Sequence, residues 1–167
     1  AVSILIALSP YRLNRVKTFL DPTSDPLGKS YHINQILYGL GSGGIGGVGL
    51  GRSRQKYAFL PEATTDSIFV IVAEEFGFFG ASALIVVLVY LLITSLKVSY
   101  LLKDKFDKLL ASGISLLFLV QIFVDLSSMV ALIPLTGVPL PFISYGGSSL
   151  VSNFLALGLL INVSRKV

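Results

Sequence analysis

Cysteine is absent from this chain, which excludes disulfides and thiolate metal sites. Histidine occurs once, as His32, so no second imidazole exists here with which to build a metal site or a catalytic triad. Charge is scarce too. Only 13% of the 167 residues are Asp, Glu, Lys or Arg, against about a quarter in an average soluble domain. With 53% hydrophobic residues and a mean hydropathy of +0.81, the chain has too little polar surface to cover a water-soluble globule. A basic leader followed by a small-residue cleavage site is missing at the front as well, so no signal peptide is read there.

What is present is apolar and continuous. Residues 76–96 carry no charge, residues 109–133 are interrupted only by Gln121 and Asp125, and residues 142–164 are again uncharged. Each run reaches the length of about 20 apolar residues that crosses a bilayer. The expectation is an all-α polytopic membrane protein forming a single domain over residues 1–167. Residues 1–9, AVSILIALS, read as the end of a span begun upstream, so a C-terminal fragment of a longer protein is expected. A long outer loop (10–66) follows, then spans at 67–97, 109–133 and 142–164. A loop at 98–108 joins the first two of these spans, a second at 134–141 joins the last two, and residues 165–167 form the tail. Lys97, Lys103, Lys105 and Lys108 cluster in the first link and Arg165 and Lys166 in the tail. The positive-inside rule makes that side cytoplasmic and leaves 10–66 and 134–141 extracytoplasmic.

The long loop is expected to be partly helical. Ile33, Ile36, Leu37 and Leu40 recur at i, i+3, i+4, i+7, an amphipathic helix whose stripe suits a membrane surface or the helix bundle. After it comes GSGGIGGVGLGRS, seven glycines in thirteen residues, matching G-x-G-x-x-G twice. A dinucleotide fingerprint needs a strand before it and an apolar helix behind it. Helical periodicity precedes this one and a polar-aromatic run follows, so nucleotide binding is set aside. Two readings remain: a flexible connector, or a backbone that must approach a ligand or helix closely. The basic run Arg52, Arg54 and Lys56 suits an anionic ligand or lipid headgroups. Small residues at a four-residue spacing, Ser148-Ser152-Ala156 and Gly77-Ala81, suggest tight helix packing.

Ionisable groups at membrane depth are costly and therefore functional candidates. Asp66 stands at the head of the first long span, where helix capping is the plain alternative. Glu74 lies about 12 Å further along the helix axis and about 80° round it, too far from Asp66 for the carboxylate pair of a retaining glycosidase. Glu74 and Glu75 are expected to pair with basic groups on neighbouring helices, Asp125 to join a buried polar contact, and His32 to be a surface or packing residue.

Four strings, YRLNRVKTFLDPTSDPLGKSYHINQ, GSGGIGGVGLGRSRQK, LPEATTDSIFVIVAEEFGFFG and PLTGVPLPFISYGGSS, resemble in this order the C-terminal half of the SEDS family, the RodA/FtsW membrane proteins. The resemblance runs from about Tyr11 to Arg165. It implies the last helices of a SEDS-type bundle in the bacterial plasma membrane. The implied activity is glycosyl transfer, polymerising lipid II into glycan strands beside a class B penicillin-binding protein. Membrane lipids are the other expected partner, with no nucleic acid. The family's essential acid lies in L-P-E-x-x-T-D, matched by Leu60, Pro61, Glu62, Thr65 and Asp66, so Asp66 is implied as the catalytic carboxylate. Gln55 and Lys56 fall on the family's Q-K pair. With Arg52, Arg54, Glu62 and Thr65, and with Ser144, Tyr145 and Gly146 of the last string, they are the expected substrate-binding residues. No cofactor is certain; a divalent cation, Mg or Mn, is conceivable at the leaving pyrophosphate. Ser67 departs from the aromatic residue many members carry there, and Asp125 from their common Asn. The alternatives are a flippase for lipid-linked precursors and a non-catalytic scaffold of the wall-synthesis machinery. The strings mix RodA-like and FtsW-like features, leaving cell elongation and division both open.

Overall fold

The computed structural model describes residues 31–53 and 67–166. Among these the fold is all-helical: α1 Tyr31–Gly43, α2 Ile68–Leu101, α3 Lys105–Met129 and α4 Gly147–Ser164. The last three are each long and apolar enough to cross a membrane. Their outward faces carry bare apolar side chains, with Phe78, Val86, Phe123 and Leu155 all more than half exposed. A water-soluble monomer does not leave such a surface contiguous and uncovered; hydrocarbon is its natural solvent.

Three apolar clusters hold the helices together. At one end Ile36 of α1 packs on Phe69, Val70 and Ile71 of α2 and on Met129 of α3. The stripe predicted for α1 therefore lies on the helix bundle rather than on the membrane surface. In the middle Leu88 meets Ile122 and Leu140. At the opposite end Leu102, Ala111, Ile114 and Phe118 pack with Leu160 and Val163 of α4.

The helix ends differ from those drawn by hydrophobicity alone, because local chemistry decides them. Asp104 accepts a 2.7 Å hydrogen bond from Phe106 N–H and so starts α3 at Lys105, ahead of the apolar run. Beyond Met129 the chain turns through Ala131 at φ 55°, and Pro134, Pro139 and Pro141 forbid continued helix. The third span is consequently helical only from Gly147, not from 142.

Nor does the linker between α3 and α4 lie over the end of the bundle. Leu140 is buried against Ile122, seven residues and about 10 Å down α3 from its end. The Phe142 ring sits 5.4 Å from both Phe118 and Phe154. Non-helical backbone at membrane depth survives only where its polar groups are satisfied inside protein or by water. Here Ser144 Oγ accepts from Leu140 N–H at 2.8 Å, and Leu140 C=O accepts from Ser144 N–H at 3.1 Å.

Of the stripe Ser148-Ser152-Ala156, Ala156 packs on the cluster of Phe118 and Leu160. Ser148 and Ser152 are exposed, and α4 buries Asn153, Leu160 and Val163 instead. Gly77, assigned to helix packing by its spacing from Ala81, has another role. Its φ of 66° and ψ of −160° break α2 into two helices.

Candidate functional site

The break in α2 is filled by the glycine stretch. Just before Gly77, the carbonyls of Glu74 and Glu75 lose their helical partners and instead accept from Val48 N–H at 2.9 Å and Gly49 N–H at 3.0 Å. Just after it, Phe78 N–H donates to Gly44 C=O at 2.9 Å and Phe79 N–H to Ile45 C=O at 3.5 Å. Backbone groups that a broken helix would leave bare in an apolar medium are thereby satisfied.

Such contact requires main chains to approach without side chains between them. A Cβ at Gly43 would collide with the Ala73 carbonyl, one at Gly47 with the Glu75 carbonyl, and one at Gly77 with the Gly47 nitrogen. Gly47 and Gly77 also have positive φ, 78° and 66°, which only glycine adopts freely. Of the two sequence readings, close approach is the one realised; the partner is a helix of the same chain.

Glu74 ties the two ends of this segment. Its side chain is 2% exposed. Ser42 Oγ donates to Glu74 Oε1 at 3.3 Å, and Ser53 Oγ donates to Oε2. The hydroxyls of Ser42 and Ser53 are thus two described partners of this carboxylate. Sequence reasoning missed both serines; their signal was two hydroxyls bracketing a glycine run, eleven positions apart. Arg52, exposed beside Ser53, begins the basic run, and its N–H donates to Gly49 C=O at 3.2 Å.

Asp66, Lys56, Gln55, Arg54, Glu62 and Thr65 lie outside the described residues. Their chain neighbours bound where they enter: Ser53 on one side and Ser67 on the other are both fully buried at the α1 end of the bundle. Ser67 Oγ lies 3.2 Å from His32 Nε2. Of the two readings of His32, the packing residue is the one realised: it is half-buried, and its hydrogen-bond partner Ser67 is the residue next in sequence to the predicted acid.

Of the other predicted binding residues, Ser144 is buried at 2%, Tyr145 is exposed and Gly146 occupies the N-cap position of α4. Gly146 C=O accepts from Leu150 N–H at 2.8 Å. No described contact joins these three to Arg52. Asp125 is fully buried inside the bundle. Among the described residues no group of three or more His, Asp or Glu is placed to hold a metal ion.

With this geometry fixed, likeness to known proteins becomes informative. The model of a family described as cell cycle protein, comprising FtsW, RodA and SpoVE, matches residues 1–167. The chain belongs to the FtsW/RodA/SpoVE family. It is 42% identical over 161 residues to stage V sporulation protein E of Bacillus subtilis, covering 96% of this chain and 44% of that one. It is 41% identical over 163 residues to the probable peptidoglycan glycosyltransferase FtsW of Trichlorobacter lovleyi, covering 98% and 43%. A solved structure on the structural coordination of polymerization and crosslinking by a peptidoglycan synthase complex contains a chain that superposes with a TM-score of 0.72. Sequence identity to it is 32%, over 98% of this chain and 44% of that one. The chain spans less than half the length of these relatives. As in the SEDS family generally, the three apolar helices make this a multi-pass membrane protein.

Proposed function

We propose that the protein to which these residues belong is a peptidoglycan glycosyltransferase that polymerises lipid II at the outer face of the bacterial plasma membrane. The observation that carries this is the 41% identity, across nearly the whole chain, to a probable peptidoglycan glycosyltransferase. The L-P-E-x-x-T-D motif at 60–66 supplies the acid such a reaction needs.

An acceptor sugar hydroxyl is a weak nucleophile until a base takes its proton. Asp66 is the proposed base. The hydroxyl oxygen bonds to the anomeric carbon of the donor, the bond from that carbon to the pyrophosphate oxygen breaks, and the proton passes to the Asp66 carboxylate. The lipid pyrophosphate leaves with the bonding electron pair. Lys56, Arg52 and Arg54 are proposed to stabilise its charge. Gln55, Glu62, Thr65, Ser144, Tyr145 and Gly146 are proposed to bind substrate. A class B penicillin-binding protein is the proposed partner, in accord with the synthase complex of the structural relative.

The test is polymerisation of lipid II by the purified full-length protein with its partner. Asp66→Asn keeps the side chain's shape and removes the base, and should lower turnover by about 100-fold or more. Wild-type turnover in this variant would overturn the assignment of Asp66. Lipid II translocation without polymerisation would favour the flippase instead.

A further inference from the structure

α2 and α4 both pack on α3 but meet each other only sparsely, and towards the basic end of the bundle they stand apart as the two walls of a groove. Val87, Leu91 and Val98 line one wall, and Leu157, Leu160 and Ile161 the other. Two serines also lie along it, yet each turns its hydroxyl into its own helix. Ser95 Oγ donates to Leu92 C=O at 2.8 Å, and Ser164 Oγ to Ile161 C=O at 2.7 Å. The groove therefore presents carbon almost throughout. From Val87 to Val98 it runs about 16 Å along α2, the depth of one half of a hydrocarbon core about 30 Å thick. Its volume of about 290 Å³, spread over that length, gives a cross-section of about 18 Å². One hydrocarbon chain fits that section, whereas an α-helix about 10 Å across needs roughly four times as much.

The mouth of the groove is charged. Lys97 stands three positions after Thr94 of the α2 wall and Arg165 four after Ile161 of the α4 wall, so both share the groove's side of their helices. Both are exposed, and neither has an acidic partner among the described residues, where the ion pair at this end joins Lys166 to Asp107. Around them Lys103, Lys105 and Lys108 outnumber Asp104 and Asp107. Basic sites between helices at a cytoplasmic surface hold anionic headgroups.

We propose that this groove is a binding site for one anionic glycerophospholipid of the inner leaflet, with an acyl chain between α2 and α4 and the phosphate at Lys97 and Arg165. Lipid tails are as apolar as the walls, so the chain is held by close packing rather than by expulsion from water. The headgroup charge supplies the selectivity. The groove lies at the opposite end of the bundle from α1 and the glycine segment, and the proposal does not depend on the glycosyltransferase reading.

The test reconstitutes the full-length protein in phosphatidylcholine vesicles holding a small fraction of phosphatidylglycerol with a photoactivatable diazirine at mid-chain. Labelled residues are mapped by mass spectrometry. Labelling should concentrate on Leu91, Thr94, Leu157 and Ile161, and should fall when unlabelled phosphatidylglycerol is added but not when phosphatidylcholine is. Lys97→Gln and Arg165→Gln, both at exposed positions, should each reduce the preference for this probe over its phosphatidylcholine counterpart by about fivefold. Thr94→Trp, which fills the groove from an exposed position, should suppress labelling there and leave that of the outward-facing Val86 and Phe123 unchanged. If that variant fails to fold, the two charge variants decide. Groove labelling no stronger than that of Val86 and Phe123, or equal labelling by the two headgroups in wild type, would mean bulk lipid only and overturn the proposal. Groove residues that take no label would overturn it too, as expected if another helix of the full-length protein covers them.

Discussion

Ser67 occupies the N-cap position of α2, yet its hydroxyl makes no capping bond and turns to His32 Nε2. Ser67 thereby joins α1 to the start of α2, next in sequence to Asp66. At the opposite end of the bundle a different pair closes the structure. Lys166 Nζ donates to Asp107 Oδ2 at 2.7 Å. That hydrogen bond, with the attraction of Asp107 and Asp104, outweighs partial desolvation and raises the lysine's pKa above its ordinary 10.5. A raised pKa means the pair's stabilisation is fully present below the unfolded value and is lost as pH climbs through the folded one. The difference in Tm between wild type and Lys166→Ala should therefore be constant from about pH 6 to 9 and shrink only above about pH 10.5. Because the lysine is well exposed, that difference should also be small. A difference that vanished already near pH 8 would contradict this account.

Among the helices, α2 has the unusual construction. Run straight, its 34 residues would reach about 51 Å, well beyond the roughly 30 Å of a bilayer core. The break at Gly77 divides it into a short arm and a long span, and the glycine segment bonds to both sides of the break. Gly77→Ala must place a methyl group against the Gly47 nitrogen at a positive φ, and Gly47→Ala meets the Glu75 carbonyl in the same way. Each should destabilise the full-length protein by about 3 kcal/mol or more, as clash and backbone strain add. Gly113→Ala is the contrast. It lies within α3 with nothing near its added methyl group, and should be neutral or stabilising by up to about 1 kcal/mol. Thermal unfolding in detergent measures all three, and equal Tm values would refute the proposed fit between the glycines and the break.

For the whole molecule the open quantity is which end faces which compartment. The basic residues at 97, 103, 105, 108, 165 and 166 gather at one end, while α1 and the glycine segment pack at the other. By the positive-inside rule the glycine end faces outward, the side on which lipid II is proposed to be consumed. Since these 167 residues contain no cysteine, single cysteines report this cleanly in a cysteine-free full-length background. Leu50→Cys, on an exposed part of the glycine segment, should react with a membrane-impermeant maleimide in intact spheroplasts. Lys103→Cys, exposed in the turn between α2 and α3, should react only after permeabilisation. The reverse pattern would invert the topology and remove Asp66 from the proposed side.

Membrane residence, helical class and the approximate position of three spans were legible from hydrophobic runs, because solvation by lipid depends on composition over about twenty residues and needs no partner. The L-P-E-x-x-T-D motif, and with it the candidate acid, was equally legible as a string. Three things were not. The return of residues 134–146 into the bundle depends on Leu140 and Phe142 finding Ile122, Phe118 and Phe154. The bonding of Glu74 depends on two serines 32 and 21 residues away. The meaning of the glycines depends on a break in a helix that begins after the run has ended. Each is a contact between segments distant in sequence, and pairings of that kind are decided by which backbones the tertiary fold allows to meet.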